Sequence, residues 1–516
     1  MNTLDFVLIV GGIGLVFALF YIIWSYVKGL KGCPYEIYLL FFTKVTEYSA
    51  YGAINISFIL YLSADMGLSD VRAGTFMGAF GVMVTLMVMI VGPVCDAIGI
   101  KKTLLFGAYT LLFSRFLMPF MPNIYLSFLF GFFPMAFGLA ITGPVLSVGI
   151  KRFTTKETAA LGFGLFYTLM NIGWAVGAQL FDTMRQTFGE TEGATLPLIG
   201  VNLSTYQLII LIGFFINIPD LIAILLMRDG VEMTEDRGVV VTPTARIGDG
   251  GSIVNAFVST VRNTARDTFI KMKAVFGEKA FWVFIFMLAM TVFVRLVFSH
   301  FHYTFPKYGI RILGEGARVG SIYGVLNPTM IVFLVPLVAS ITKKISSYKM
   351  MVAGTLISSL AVFIAVIPPQ HFEFLTDTWV GELIYNRWLN VPVDRQTPLY
   401  FTLIAFIIVF TIGEAFWSPR LMQFTAQIAP AGKEASYLSL AVLPWFAARL
   451  IVGPLSGWLV DRYTPEGLPA GLENYPQQHM IWVIVGSIAV ITPIALLVFR
   501  KIYITAENKG GVDAAV

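Results

Sequence analysis

The chain has 516 residues, 57% of them hydrophobic and 13% charged, with a formal net charge of +5. A soluble domain carries roughly a quarter charged residues, so water is not this chain's main solvent, and a soluble enzyme or nucleic-acid-binding protein is excluded. Cys33 and Cys95 supply neither a disulfide framework nor the roughly four ligands of a zinc site, and no metal site or cofactor motif is read.

The first apolar stretch, about residues 4–27, is too long for a signal-peptide core. It has no basic residue before it, and Lys28 and Lys31 follow it, which predicts a retained membrane helix with its N-terminus outside. Twelve further spans, each near the roughly 20 residues that cross a bilayer, are expected at about 36–63, 72–98, 102–121, 124–150, 158–183, 206–227, 280–304, 318–342, 347–367, 398–427, 434–460 and 478–500. A polar stretch divides these twelve into six and six. The expected organisation is an extra helix at 1–31, a six-helix bundle at 32–228, a linker at 229–278, a second six-helix bundle at 279–502 and a tail at 503–516.

Lys101/Lys102, Lys151/Arg152/Lys156, Lys343/Lys344/Lys349, Lys433 and Arg500/Lys501 fall in alternate loops, on the same side as Lys28/Lys31. The excess of positive charge assigns that side to the cytoplasm and places the C-terminus there. Within the linker, residues 253–276 have the apolar spacing and basic face of an amphipathic helix, either on the membrane surface or packed on the protein.

The loop after the second of the twelve spans contains Gly92, Asp96, Gly99 and Lys101. Glycines allow a tight turn and close helix contact, while a carboxylate can bond a helix N-terminus. The pattern resembles the loop motif G-x-x-x-D-x-x-G-x-[RK] of the major facilitator superfamily, which implies an all-α membrane fold of two six-helix bundles and a gating role for the loop.

Further stretches are similar to the proton-coupled oligopeptide transporters of that superfamily. They are Glu47-Tyr48 through Tyr51-Gly52, Phe166-Tyr167 through Asn171 and Gly173, Asn327-Pro328, and Gly413-Glu414 through Ser418-Pro419. The resemblance implies a substrate site containing Tyr51, Tyr167, Asn171, Asn327, Glu414 and Trp445, with Glu414 meeting a substrate amino group. The family's paired glutamates and arginine of the first span are Thr43, Thr46 and Glu47 here, its fourth-span lysine is Gly143, and its seventh-span acid falls near Phe286. Proton coupling and carboxylate capture therefore need other residues.

A charge at bilayer depth costs roughly 3 kcal/mol on insertion scales and ordinarily faces a partner. Lys44, Glu47, Arg115, Asp220, Arg295, Glu414 and Arg449 lie at that depth. Lys44 and Glu47, three apart on one helix, can neutralise each other; Asp220 can bond a neighbouring helix; Glu414 can hold either a substrate ammonium or Arg295 or Arg449. A substrate carboxylate would turn to Arg115 or Arg295, and a coupled proton to Glu47. His300 and His302, two apart, do not share a helical face and are expected to pack at the interface.

The reading is a secondary transporter of a small solute, a short peptide or amine-bearing amide, possible partners being protons and the lipid of a plasma membrane, with the chain a monomer. A carrier of a non-peptide solute and a non-transporting receptor or scaffold are the alternatives. An enzyme is not expected, since no catalytic set appears in the polar segments.

Overall fold

The computed structural model describes residues 3–197, 199–242, 279–342, 344–428 and 443–509, with Arg262, Arg266, Phe276 and Gly277. The expected linker helix lies for the most part outside the described residues. After α1 (Thr3–Gly29), the first bundle is built of α2 (Glu36–Ala64), α3 (Asp70–Ile98), α4 (Ile100–Leu117), α5 (Ile124–Arg152), α6 (Lys156–Phe188) and α7 (Thr205–Leu226). The second opens with α8 (Lys279–Met290), α9 (Val292–Tyr303) and α10 (Phe305–Leu313). It continues with α11 (Ser321–Ile341), α12 (Ser347–Val366), α13 (Leu399–Ile428), α14 (Leu443–Tyr463) and α15 (His479–Val498), before the terminal α16 (Arg500–Lys509).

Ten of the described helices are long and apolar enough to cross a membrane, or eleven when the pair Phe281–Met290 and Val292–Tyr303, bent by 49°, counts as one. Helix α2 does not pass this test, and it carries Glu36, Lys44 and Glu47, all buried. A hydropathy scan underrates such a helix because its charges face protein instead of lipid. The seventh core span differs most from its sequence reading of 280–304. It breaks near Thr291 and continues through α10 to Leu313.

Local chemistry sets the helix ends. Thr155 with Thr158, and Ser204 with Gln207, form capping boxes at the starts of α6 and α7, satisfying N–H groups that no helix can pair internally. Gly99 joins α3 to α4 at φ +86°, a backbone conformation that side chains disfavour. The residues beyond α7 form a hairpin of β1 (Val231–Thr234) and β2 (Gly238–Val241). Its acidic Glu232 and Glu235 pair with Arg152 and Lys156, and Asp229 just before it with Lys102, so the basic loop ends are partly neutralised by the chain itself.

Candidate functional site

A cavity of about 250 Å³ lies between the two bundles. Helices α2 and α6 contribute Tyr48, Tyr167, Met170, Asn171 and Trp174; α9, α11 and α13 contribute Phe298, Phe301, His302, Tyr323, Asn327, Pro328 and Glu414. Aromatic walls with a few convergent polar groups are the usual make-up of a small-molecule site.

Glu414 is the acidic group of the lining. It is buried, and Asn327 Nδ2 donates to its Oε2 at 2.8 Å and to Thr411 Oγ1 at 2.9 Å. Both N–H donors of Asn327 are thereby used, leaving its carbonyl oxygen as an acceptor beside the carboxylate. Asn171 Nδ2 donates to the Tyr167 carbonyl at 2.9 Å, which turns its own oxygen the other way. The lining thus presents a carboxyl group and amide acceptors, a set that can complement an ammonium and peptide N–H groups.

Among the residues singled out from sequence, Tyr167, Asn171, Asn327 and Glu414 converge on this cavity. Tyr51 stands one layer behind it, its ring 5.5 Å from that of Trp174. Gly92 and Asp96, read from sequence as loop residues, fall within helix α3, because the helix runs on to Ile98 and the turn comes at Gly99; the side chains of Asp96 and Trp445 lie outside the described residues. Lys101 donates to the Leu225 carbonyl at 2.9 Å, tying the α3–α4 turn to the end of α7. Arg295 places its guanidinium over the Trp417 ring at 5.6 Å.

The charge pairing read from sequence needs correction. Glu47 is held on both oxygens by Arg115, at 3.0 Å each, while Lys44 points its Nζ at the faces of Tyr48 and Phe166, 3.8 and 4.0 Å from the ring centroids. A planar guanidinium on a neighbouring helix fits a carboxylate bidentately, and the ammonium finds compensation over aromatic faces. Arg115 is consequently engaged inside the first bundle. Arg449 reaches across the bundles instead, donating to Thr85 Oγ1 at 2.6 Å and to the Gly81 carbonyl.

Sequence reasoning missed Tyr48, Trp174, His302 and Tyr323. His302 Nδ1 lies 2.7 Å from the Tyr323 hydroxyl and its ring 5.2 Å from Trp174. The span was read as ending near residue 304 and the histidine as packing at the interface, so no signal placed it at the cavity. The span instead breaks near Thr291 and runs on to Leu313, which leaves His302 away from its end.

At one end the bundles are latched together. Asp70 at the start of α3 receives Lys307 at 2.5 Å and Arg311 at 2.7 Å, and Arg311 also reaches Glu466 at 2.6 Å. Asp182 of α6 accepts from the Gly320 and Ser321 backbone N–H groups at 2.9 and 2.5 Å, capping α11 of the opposite bundle. Arg185 binds Glu190 and donates to the Ala317 carbonyl at 2.8 Å, and Glu190 accepts from the Gly316 N–H at 2.8 Å. Below the latch, Gly74 and Gly78 meet Gly453 and Gly457 with no room for a β-carbon, the small-residue packing that lets membrane helices touch.

At the opposite end, Lys102, Arg152, Lys156 and Arg228 pair with Asp229, Glu232, Glu235 and Glu36, all of the first bundle and its hairpin segment. The structure is therefore closed at the Asp70 end. Asp70→Asn leaves two cations facing each other and is expected to raise the reactivity of a cysteine at Ala73, fully buried here, toward an impermeant thiol reagent by about fivefold, the equivalent of about 1 kcal/mol. Unchanged labelling would remove Asp70 from the latch.

Burial pushes the Glu190 carboxyl up, but Arg185 and the hydrogen bonds it receives outweigh this and hold it below the usual carboxylate value. Its contribution is thus fully present above that usual value and is lost only as pH falls through the lowered one. Labelling at the latch should stay constant across roughly pH 5 to 8 as far as Glu190 controls it.

Comparison with known proteins extends this picture. Residues 40–385 match the model of the Major Facilitator Superfamily. Dipeptide and tripeptide permease B of Yersinia enterocolitica is 24% identical over 488 residues, covering 91% of this chain and 94% of the permease. The uncharacterized transporter YclF of Bacillus subtilis is 23% identical, covering 86% and 91%. Among solved structures, peptide transporter POT with sulfate superposes with a TM-score of 0.62 at 16% identity, covering 90% of this chain and 94% of that one. A POT family transporter with 5-aminolevulinic acid gives 0.61 at 16% identity, covering 91% and 98%. The fold is that of the peptide transporters, and the chain belongs to the Major Facilitator Superfamily.

Proposed function

We propose that this transporter carries a small amine-bearing amide, such as a dipeptide, by alternating access around the cavity at Glu414. The observation that carries the reading is Glu414 with Asn327 at its side in a cavity walled by both bundles. A volume of about 250 Å³ lies just under the range of roughly 300–1,000 Å³ for drug-sized ligands, which favours a solute of dipeptide size or smaller. Relatives named dipeptide and tripeptide permease support the same class. A similar structure holds 5-aminolevulinic acid, also a small primary amine.

In this reading the latched end faces outside and the hairpin end the cytoplasm of a plasma-membrane protein, with the N-terminus outside and the C-terminus inside, an orientation supported by the positive charge of the loops at the hairpin end. In that orientation the structure is closed to the exterior. Substrates without a carboxylate fit at least as well as peptides. A β-carbon on Gly143, the position of the family's fourth-span lysine, would meet nothing within 4 Å, and Arg115 is taken by Glu47.

Ligand stabilisation tests the reading directly. At a hundredfold excess over its Kd a true ligand stabilises by about 2.7 kcal/mol. Free-amine dipeptides or small amino amides should raise the apparent melting temperature of the purified protein, and their N-acetylated forms should not. Equal effects from acetylated and free forms would overturn the role given to Glu414.

A further inference from the structure

The first bundle contains a polar cluster that the cavity does not use: Glu47 and Thr46 of α2, Arg115 of α4, and Asn217 and Asp220 of α7. Asp220, Asn217, Glu47 and Arg115 are all buried. Arg115 grips Glu47 on both oxygens and also donates to Asn217 Oδ1. The Asn217 amide bridges the two acids, donating to Glu47 Oε2 at 2.8 Å and to Asp220 Oδ2. The other oxygen of Asp220 contacts the Thr46 hydroxyl.

We infer that Asp220 is a proton-binding site, protonated in this closed conformation. Two observations carry the inference, and neither needs the substrate assignment above. The first is charge. Two carboxylates share one guanidinium, which is committed bidentately to Glu47, and like charges so close in a buried site do not both stay ionised.

The second is the proton count at Thr46. Its hydroxyl has one hydrogen, yet it faces three acceptors: the Phe42 carbonyl at 2.9 Å, the Thr43 carbonyl at 3.3 Å and Asp220 Oδ1. When the hydroxyl donates back to Phe42 in the ordinary helical way, the contact with Asp220 lacks a hydrogen unless Asp220 supplies it. A protonated Asp220 donates from Oδ1 to Thr46 and still accepts from Asn217 on Oδ2, so the Thr46 hydroxyl and both Asp220 oxygens are satisfied.

The surrounding charges leave the proton to Asp220. Helix α2 presents Glu47, and its Lys44 lies against Tyr48 and Phe166. Helix α4 presents Arg115, already placed. Helix α6 holds its buried charges, Asp182 and Arg185, at the latch. Asp220 is the sole ionisable group of α7 apart from Tyr206, which is bound to Glu190 at the latch end. The proton carrier expected at Glu47 therefore moves to its neighbour: Glu47 is the anion fixed by Arg115, and Asp220 is the group that exchanges the proton.

Infrared difference spectroscopy of the purified full-length protein, without solute, tests this. The wild type should show a protonated-carboxyl C=O band that falls reversibly as pH is raised. The band should vanish in Asp220→Asn, persist in Glu414→Gln, and shift in Thr46→Val, which removes the acceptor without touching any charge. A band that survives in folded Asp220→Asn, or that does not shift in Thr46→Val, overturns the inference. Because Thr46→Val preserves every charge, its band position decides between the two outcomes even if Asp220→Asn does not fold.

Discussion

Arg115→Leu is expected to destabilise the protein by about 3–5 kcal/mol, the usual cost of removing one partner from a buried ion pair. Arg115 is fully buried and Glu47 3% exposed at its side chain, so the variant strands a buried carboxylate, with Lys44 turned to its aromatic partners. Adding Glu47→Gln removes the stranded charge and should restore most of the loss, since apolar or neutral replacement of a whole buried pair is often tolerated. Apparent melting temperatures of the single and double variants, measured in one detergent, give the coupling between them. A single variant as stable as the wild type would show that the pair does not hold α2 to α4.

The second large effect is at the cavity. Glu414→Gln should leave a folded protein, because Gln keeps the acceptor for Asn327, yet weaken binding of an amine-bearing solute by ten- to a hundredfold. That range corresponds to the roughly 1.5–3 kcal/mol of a hydrogen bond to a charged group. Calorimetric or thermal-shift titration of wild type and variant with the same solute measures it. Unchanged affinity in a folded variant would remove Glu414 from the site, and misfolding would mark it as a structural anion.

Much of this was legible in the residues alone. The spacing of apolar runs located the membrane helices, and short polar motifs inside them, Asn171, Asn327 and Glu414, named residues that the fold brings to one cavity. Such groups stand out because lipid tolerates them only where something faces them. What sequence could not give was the identity of the partner. Lys44 stands three residues from Glu47 and invites a pairing, but Arg115, 68 positions away, presents the better fork. The same limit hid Trp174, His302 and Tyr323: in a chain with 15% aromatic residues, a cavity-facing ring has no signature of its own. The latch was invisible for a further reason. Asp70, Lys307 and Arg311 flank apolar spans, and nothing in their spacing pairs them until the bundles bring them within 2.7 Å.

Counterflow in proteoliposomes tests the central claim most directly, using the solute that most stabilises the purified protein. Vesicles loaded with unlabelled solute should take up the labelled form transiently above equilibrium when they contain the wild-type chain, and at least tenfold more slowly with Glu414→Gln at subsaturating concentration. Label that enters wild-type vesicles no faster than protein-free liposomes, with any stabilising solute, would contradict a carrier built around this cavity.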